Sequence, residues 1–287
     1  MFAGNMAELE KIISNLDSLP SLRSVVDTNN LKAKKSLGQN FLFDQNITDK
    51  IARAAGDLTQ STVIEIGPGP GGLTRSLLRA GAKKLVAIEF DERAIKALKP
   101  LIDASMGRLT VIHSDALKSN LLEIVLEPNR KIVANLPYNI GTVLLTNWLK
   151  QVREDKNAYE SMTLMFQKEV AERISAEPST KQYGRLAVIS NWLCNSMSMF
   201  DLPPTAFSPP PKVTSSIVNL VPKSLPPNSP YFKSVEDVTR EAFNQRRKMI
   251  RSSLKNYKEI IEELGIETTK RAENISVEEF IDIASKI

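Results

Sequence analysis

Apolar and polar positions follow two different periods along this chain, and the changes of period divide it. Near the start Leu9, Ile12, Ile13 and Leu16 recur at helical spacing before a Ser-Leu-Pro-Ser break at 18–21, which predicts an amphipathic leader up to about residue 30. From there, short apolar runs of strand length alternate with stretches of helical period. Strands are predicted at 62–66, 84–89, 109–113, 131–134 and 162–166, and helices at 72–80, 92–101 and 142–151. That alternation is the pattern of βαβ units, so the expected fold class is α/β, a mostly parallel Rossmann-like sheet with helices on both faces.

The period changes again near the C-terminus. A proline-rich stretch at 202–212 leads to an apparent strand at 216–221 and a Pro/Asn/Ser linker at 222–230, where prolines interrupt any helix. Residues 231–287 are helical in period: Val235, Val238 and Ala242, then Met249, Ile250 and Leu254, then Ile260, Ile261 and Leu264. The stretch closes on Ser276-Val277-Glu278-Glu279, a capping box. The expected organisation is a leader over 1–30 with no role assigned, an α/β domain over 31–222 and a small basic helical domain over 223–287.

Composition narrows the chemistry. At 287 residues and 42% hydrophobic the chain can build a proper core, yet it has one histidine, His113, and one cysteine, Cys194. A Cys/His zinc site needs three or four such ligands and a disulfide needs two cysteines, so neither is available, and no metal is expected. A serine triad would rest entirely on His113. Apolar runs such as 143–145 and 164–166 are far below the roughly 18–20 residues of a membrane span, and residues 1–4 do not begin a secretion signal, so the expected setting is the cytoplasm, with no membrane partner. The net charge of +5 says little, but its distribution says more. Arg246, Arg247, Lys248, Arg251, Lys255 and Lys258 occur between 244 and 258 with no acid among them, and Lys32, Lys34 and Lys35 cluster near the start. Such runs fit either a solvated helix face or contacts to phosphates.

The first candidate site is Glu65-Ile66-Gly67-Pro68-Gly69-Pro70-Gly71-Gly72, directly after a predicted strand and opening a helix. There an α/β sheet brings its backbone against a ligand, and glycine permits close approach. Gly67, Gly69 and Gly72 also fit a dinucleotide fingerprint, and Glu89 closes the next strand about 20 residues on, where an acid binds ribose hydroxyls. NAD is therefore one reading. Against it, Glu65 would repel a pyrophosphate but suit a cationic ligand. S-adenosylmethionine, with a sulfonium and an ammonium against one carboxylate, is favoured by charge. Asp115, after the third strand, adds a further acid whose carboxylate can accept from an adenine amine, or simply cap a helix.

The second site is Asn135-Leu136-Pro137-Tyr138, at the end of the fourth predicted strand. Adenine N6 is a poor nucleophile because its lone pair is delocalised into the ring. The side-chain carbonyl of Asn135 and the backbone carbonyl of Leu136 or Pro137 can accept its two hydrogens and turn that lone pair towards a methyl donor. Pro137 fixes the loop, and Tyr138 offers a face on which a splayed-out base stacks, unless it is a partly buried strand-end aromatic. Phe207, in Phe207-Ser208-Pro209-Pro210-Pro211-Lys212, is the candidate for the opposite face, or else a packing residue.

With these residues in place the chain resembles the KsgA-type ribosomal RNA adenine N6,N6-dimethyltransferases. The likeness runs over roughly 31–287 and includes Ser36-Leu37-Gly38-Gln39-Asn40-Phe41-Leu42, Gln167-Lys168-Glu169-Val170-Ala171-Glu172-Arg173 and Tyr183-Gly184-Arg185-Leu186 beside the motifs above. It implies a class I methyltransferase fold, S-adenosylmethionine as donor, and dimethylation of two adjacent adenosines in the 3′-terminal hairpin loop of 16S rRNA within the immature small subunit. It further implies that Asn40 and Leu42 border the cofactor, Gly67 touches its methionine part, Glu89 its ribose and Asp115 its adenine. Asn135 would meet both cofactor and amine, and Glu65 and Gly69 would belong to the same cofactor site. The helical tail resembles the small-subunit enzymes rather than the related large-subunit enzymes of macrolide resistance. It moves Arg246, Arg247, Lys248 and Arg251 towards RNA contact. A DNA adenine methyltransferase and a subunit-assembly factor acting mainly by binding are the alternatives.

Overall fold

A computed structural model describes residues 2–34 and 37–287. Two leader helices, α1 (Phe2–Asp17) and α2 (Leu22–Thr28), come first. A two-residue strand β1 (Phe41–Leu42) and helix α3 (Gln45–Ala54) are next. The alternating part comprises β2 (Thr62–Ile66), α4 (Gly72–Arg79), β3 (Lys84–Glu89), α5 (Glu92–Ala97), α6 (Lys99–Ala104), β4 (Leu109–His113), α7 (Leu121–Ile124), β5 (Arg130–Asn135), α8 (Gly141–Glu154) and β6 (Ser161–Gln167). Then come α9 (Lys168–Ile174), α10 (Arg185–Leu193), β7 (Cys194–Leu202), β8 (Phe207–Ser208) and β9 (Ser215–Pro222). The chain ends with α11 (Phe232–Asn244), α12 (Ile250–Ser253), α13 (Lys258–Glu263) and α14 (Val277–Ala284).

The main sheet has the order β4-β3-β2-β5-β6-β9-β7. β2 runs parallel to β3 and β5, β3 to β4, and β5 to β6, so the carboxyl ends of five consecutive sheet positions lie along one edge. The order reverses at β2, where the chain winds outward to β3 on one side and to β5 on the other, and a doubly wound sheet opens a crevice at such a switch. All of β2, all but the first residue of β3 and all but the two end residues of β5 are buried, as near-continuous apolar runs covered on both faces should be. The helix expected at 92–101 is broken into α5 and α6, with Pro100 at the start of α6, where a missing amide hydrogen is harmless. None of the described helices is long and apolar enough to cross a membrane.

The chain divides into two compact units that do not match the boundaries read from sequence. The first holds 1–145, 157–168 and 199–219; the second holds 146–156, 169–198 and 220–287. The leader is not a separate piece: Ile12 and Leu16 are buried in the same apolar cluster as Leu77, Leu78 and Leu101 of α4 and α6. Polar ties reinforce it. Asn15 donates to the Ala104 carbonyl at 3.2 Å, Arg79 pairs with Asp17, and Arg108 reaches Glu8 at 3.3 Å.

The second unit recruits α9 and α10, which the proline-rich boundary did not reveal. Its core is built on Val235, Val238 and Ala242 of α11 and Phe280 and Ile283 of α14. Tyr183 meets Phe243 edge-on at 6.0 Å, Phe243 lies 5.6 Å from Phe280, and the Tyr183 hydroxyl donates to the Ile275 carbonyl at 2.9 Å. The capping box forms as expected: Ser276 accepts from the Glu279 amide, and the Glu279 carboxylate accepts from the Ser276 amide. Cys194 is fully buried at the start of β7, and burial pushes its thiol up to about 12.

Because Leu16 belongs to the main core, Leu16→Ala is expected to lower unfolding stability by about 2–5 kcal/mol. Chemical denaturation measures this, and a loss under about 0.5 kcal/mol, the scale of an ordinary surface substitution, would detach the leader from the core.

Candidate active site

A cavity of about 230 Å³ lies at the carboxyl edge of the sheet, walled by the loops after β2, β3, β4 and β5 and by residues 37–42. The glycine loop is its floor. Gly67, Gly69 and Gly71 have φ of 66°, 55° and 92°, the left-handed region that side chains disfavour. Each glycine meets a different neighbour. A Cβ on Gly67 would find nothing within 4 Å, so this position faces open cavity. A Cβ on Gly72 would fall 2.6 Å from the Leu42 carbonyl oxygen, and one on Gly69 would lie 3.0 Å from the Phe41 ring. The loop is bare on one side for a ligand and on the other for the chain's own N-terminal segment.

Glu89 ends β3 with its carboxylate held in place: Oε2 accepts from the Gly69 amide at 3.1 Å, and Oε1 from the amides of Phe90 and Asp91 at 2.8 Å each. Burial raises its pKa, and these amides oppose the shift. Asp115 lines the cavity while its Oδ1 accepts from the Leu117 amide at 3.0 Å in a turn over 116–118, so it caps no helix: the N-cap of α7 is Asn120. Glu65 is 2% exposed and its Oε2 has no hydrogen-bond partner. Burial pushes it up to about 8, opposed by the Thr74 hydroxyl and reinforced by the Glu89 charge. A buried, unsatisfied carboxyl oxygen at a cavity wall is what a cationic ligand relieves.

Asn135 ends β5. Its Nδ2 donates to the Asn40 carbonyl at 3.2 Å, which leaves its side-chain oxygen as an acceptor in the cavity wall. Leu136, Pro137, Asn40 and Leu42 line the same cavity. Tyr138 lies beside it, half-buried, with its hydroxyl bonded to the Ser215 hydroxyl, and burial raises its pKa.

Phe207 differs from its expected role. It is 5% exposed and packs in the apolar cluster with Leu42, Leu202 and Ile217, so its ring offers no free face. Its backbone does the positioning instead: β8 pairs antiparallel with β1, setting Phe207 opposite Leu42 and Ser208 opposite Phe41. Ser36, which opens the N-terminal motif, and Lys35 of the first basic cluster lie outside the described residues.

Several site residues were not read from sequence. Gly38 has φ of 63°, and a Cβ there would fall 2.8 Å from the Asn139 side-chain oxygen and 3.4 Å from Pro137. Gln39 donates to Asp91 at 3.2 Å and accepts from the Lys34 amide at 2.9 Å. Arg93 pairs with Asp91 at 2.6 Å and donates to the carbonyls of Asn30 and Lys32. That guanidinium, helped by the Gln39 amide, holds the Asp91 carboxyl down at about 2. Residues 30–34 and 37–42 are thereby strapped to the end of β3 on one side and to the loop after β5 on the other. The signal was present in Asp91-Glu92-Arg93, but only as a helix cap.

In the second unit the basic residues split by partner. Arg246 is half-buried, donating to Glu273 at 3.0 Å and to the carbonyls of Thr180 and Lys181. Arg247, Lys248 and Arg251 are exposed, in and just after the turn that ends α11, and have no ion pair among the described residues.

A doubly wound parallel sheet, a left-handed glycine loop and acids on successive strand ends define a class I methyltransferase that uses S-adenosylmethionine. Similarity to known proteins narrows that class. The model of the family described as "Ribosomal RNA adenine dimethylase" matches residues 30–287, and the chain belongs to that family. It is 51% identical over 280 residues to a "Ribosomal RNA small subunit methyltransferase A" from Mesorhizobium japonicum, covering 95% of this chain and all of that one. A protein of the same name from Agrobacterium fabrum is 54% identical over 274 residues, covering 94% and 98%. Among solved structures, a dimethyladenosine transferase from Plasmodium falciparum superposes with a TM-score of 0.72 at 28% identity, over 85% of this chain and 95% of that one. The enzyme is thus an S-adenosylmethionine-dependent ribosomal RNA adenine dimethyltransferase.

Glu65 gives the site a pH signature. Its unfolded value lies near the ordinary 4.5 and its folded value near 8, so between them the folded state holds a proton that the unfolded state lacks. Its contribution to stability is therefore full below about pH 4.5 and is lost as pH rises through about 8. Glu65→Gln is expected to flatten that decline in thermal melts of the cofactor-free protein; an unchanged slope would assign it to another group.

Proposed function

We propose that the substrate is the small-subunit ribosomal RNA, that two adjacent adenosines in its 3′-terminal hairpin loop are each dimethylated at N6, and that this happens in the cytoplasm on immature subunits. The observation that carries the reading is Asn135, with its amide nitrogen held by the Asn40 carbonyl and its oxygen left in the cavity wall. The relatives that match this chain over nearly their whole length carry small-subunit names, which supports the choice of rRNA.

The chain's residues suit the cofactor and the amine. In this reading Glu89 takes the ribose hydroxyls, Asp115 the adenine amine and Glu65 the positive charge, while Gly67, Gly69, Asn40 and Leu42 border the cofactor; all of them line the cavity. S-adenosylmethionine supplies an electrophilic methyl group when bound. The Asn135 oxygen, with the Leu136 or Pro137 carbonyl, accepts the two N6 hydrogens and localises the lone pair on nitrogen. Pro137 holds the loop, fixed further by Gly38 packed against Pro137 and Asn139. Tyr138 provides a face for the extruded base, a contact worth roughly 1–3 kcal/mol. Arg247, Lys248 and Arg251 meet RNA phosphates, whereas Arg246 braces the turn that presents them.

Incubation with labelled S-adenosylmethionine and small subunits lacking the modification, with mass-spectrometric mapping of the nucleosides, is expected to give N6,N6-dimethyladenosine at two neighbouring positions. Asn135→Ala should lower the rate by about 100-fold with binding of subunits retained. Methylation of large-subunit RNA or DNA instead would overturn the assignment.

The exposed cluster has its own test. Charge reversal at Arg247, Lys248 and Arg251 should weaken binding to small subunits and reduce the slope of log affinity against log salt by about 0.7–0.9 for each phosphate no longer neutralised. Reversal that leaves both affinity and slope unchanged would return the cluster to a solvated surface.

A further inference from the structure

The structure assigns a second RNA-binding feature to the leader and the segment just after it: Arg23 of α2, which precedes the family-matched residues 30–287, and Lys32 form a cleft that grips a backbone phosphate of the substrate strand beside the target nucleotide. The inference rests on RNA being the substrate. The cleft, about 250 Å³, is walled by Arg23, Asp27, Lys32, Phe41, Phe43 and Pro209 among others.

Three observations carry it. The first is continuity: Phe41 lines both this cleft and the cofactor cavity, with its ring against Gly69, so the two hollows share one aromatic wall. Asn135 lines the cavity on the other side of that wall, which sets the phosphate site next to the base-binding site. The second is charge: Arg23 and Lys32 are exposed and have no ion-pair partner among the described residues. Asp27 is the one acid among the described wall residues, and it pairs with neither. The third is preorganisation. The Arg23 guanidinium sits over the Phe43 ring, 5.3 Å from its centroid, which fixes a planar donor fork at the rim. Such a fork suits a phosphate, which takes two parallel N–H donors.

The strap formed by residues 30–34 and 37–42 holds the cleft in shape. Arg93 binds the Lys32 carbonyl, and β1 pairs with β8 so that Ser208 lies opposite Phe41, bringing Pro209 to the rim. The leader is therefore more than a core component. It carries a cation to the mouth of the site from a part of the chain where the motifs do not reach.

The test uses the full chain, with steady-state methylation of small subunits at fixed salt. Arg23→Glu and Lys32→Glu are each expected to raise KM for the subunit about tenfold, with kcat, thermal stability and the Kd for S-adenosylmethionine unchanged. Arg23→Lys should recover most of the affinity, and Asp27→Asn should tighten binding. Lys83→Glu, an equal change of charge beside the amino-terminal end of β3, serves as the control and should stay within about twofold of wild type. The proposal is overturned if Arg23→Glu behaves like Lys83→Glu, or if Asp27→Asn has no effect while Arg23→Glu acts through lost stability. Wild-type protein that incorporates no methyl into small subunits would instead reject the substrate reading, a distinct outcome.

Discussion

The backbone of Leu42 approaches the start of α4 so closely that any side chain at Gly72 would fall 2.6 Å from its carbonyl oxygen. This contact decides where residues 37–42 can lie. With Leu42 seated there and paired to Phe207 across the β1–β8 ladder, Phe41 must cover Gly69, Asn40 must present its carbonyl to Asn135, and Gly38 must fill the space beside Pro137 and Asn139. One wall of the cofactor cavity is thus made by a segment remote in sequence from the sheet that forms the floor. The orientation of the key amide is set by a carbonyl on that segment, so the catalytic loop and the cofactor loop are both positioned by one strip of chain.

Electrostatics obey the same geometry. Acids at the ends of β2, β3 and β4 converge on the cavity, and they differ in how much backbone supports them. Glu89 is held by three amides and Asp115 by one, whereas Glu65 keeps an unpartnered oxygen in a dry setting. The acid with least local support has most to gain from an incoming cation. Chemistry of this kind needs no histidine or cysteine, which accounts for how few the chain carries.

The parallel strands, the glycine loop and the Asn-Leu-Pro-Tyr segment were legible because each has a local cause: a buried apolar run, a left-handed turn, a loop fixed by proline. Contacts between distant segments were less legible. The leader's helical period was plain, but nothing in Ile12 or Leu16 says that they pack on α4 and α6. Phe207 beside prolines looked like a stacking platform, and the structure turns it into the core because β8 must pair with β1. Arg246 looked equal to its neighbours until its partners, Glu273 and two carbonyls after α9, came together through the fold. β7 escaped notice because it lies at the sheet's edge, where Ser196 and Ser198 alternate with Met197 and Met199, without the Val and Ile that mark the central strands. The second unit draws on three separate stretches of sequence, a division that no linker composition announces.

The lone thiol of Cys194, closed off at the head of β7 and held protonated by its dry surroundings, makes the natural chain behave chemically as one without cysteine. Maleimide and iodoacetamide reagents find no thiolate to attack while the fold persists. A pair of cysteines introduced at exposed positions can therefore carry two fluorophores or spin labels in the otherwise native sequence. Distances between the leader, the catalytic loop and the helical tail become measurable in solution without first rebuilding the core around a replacement for Cys194.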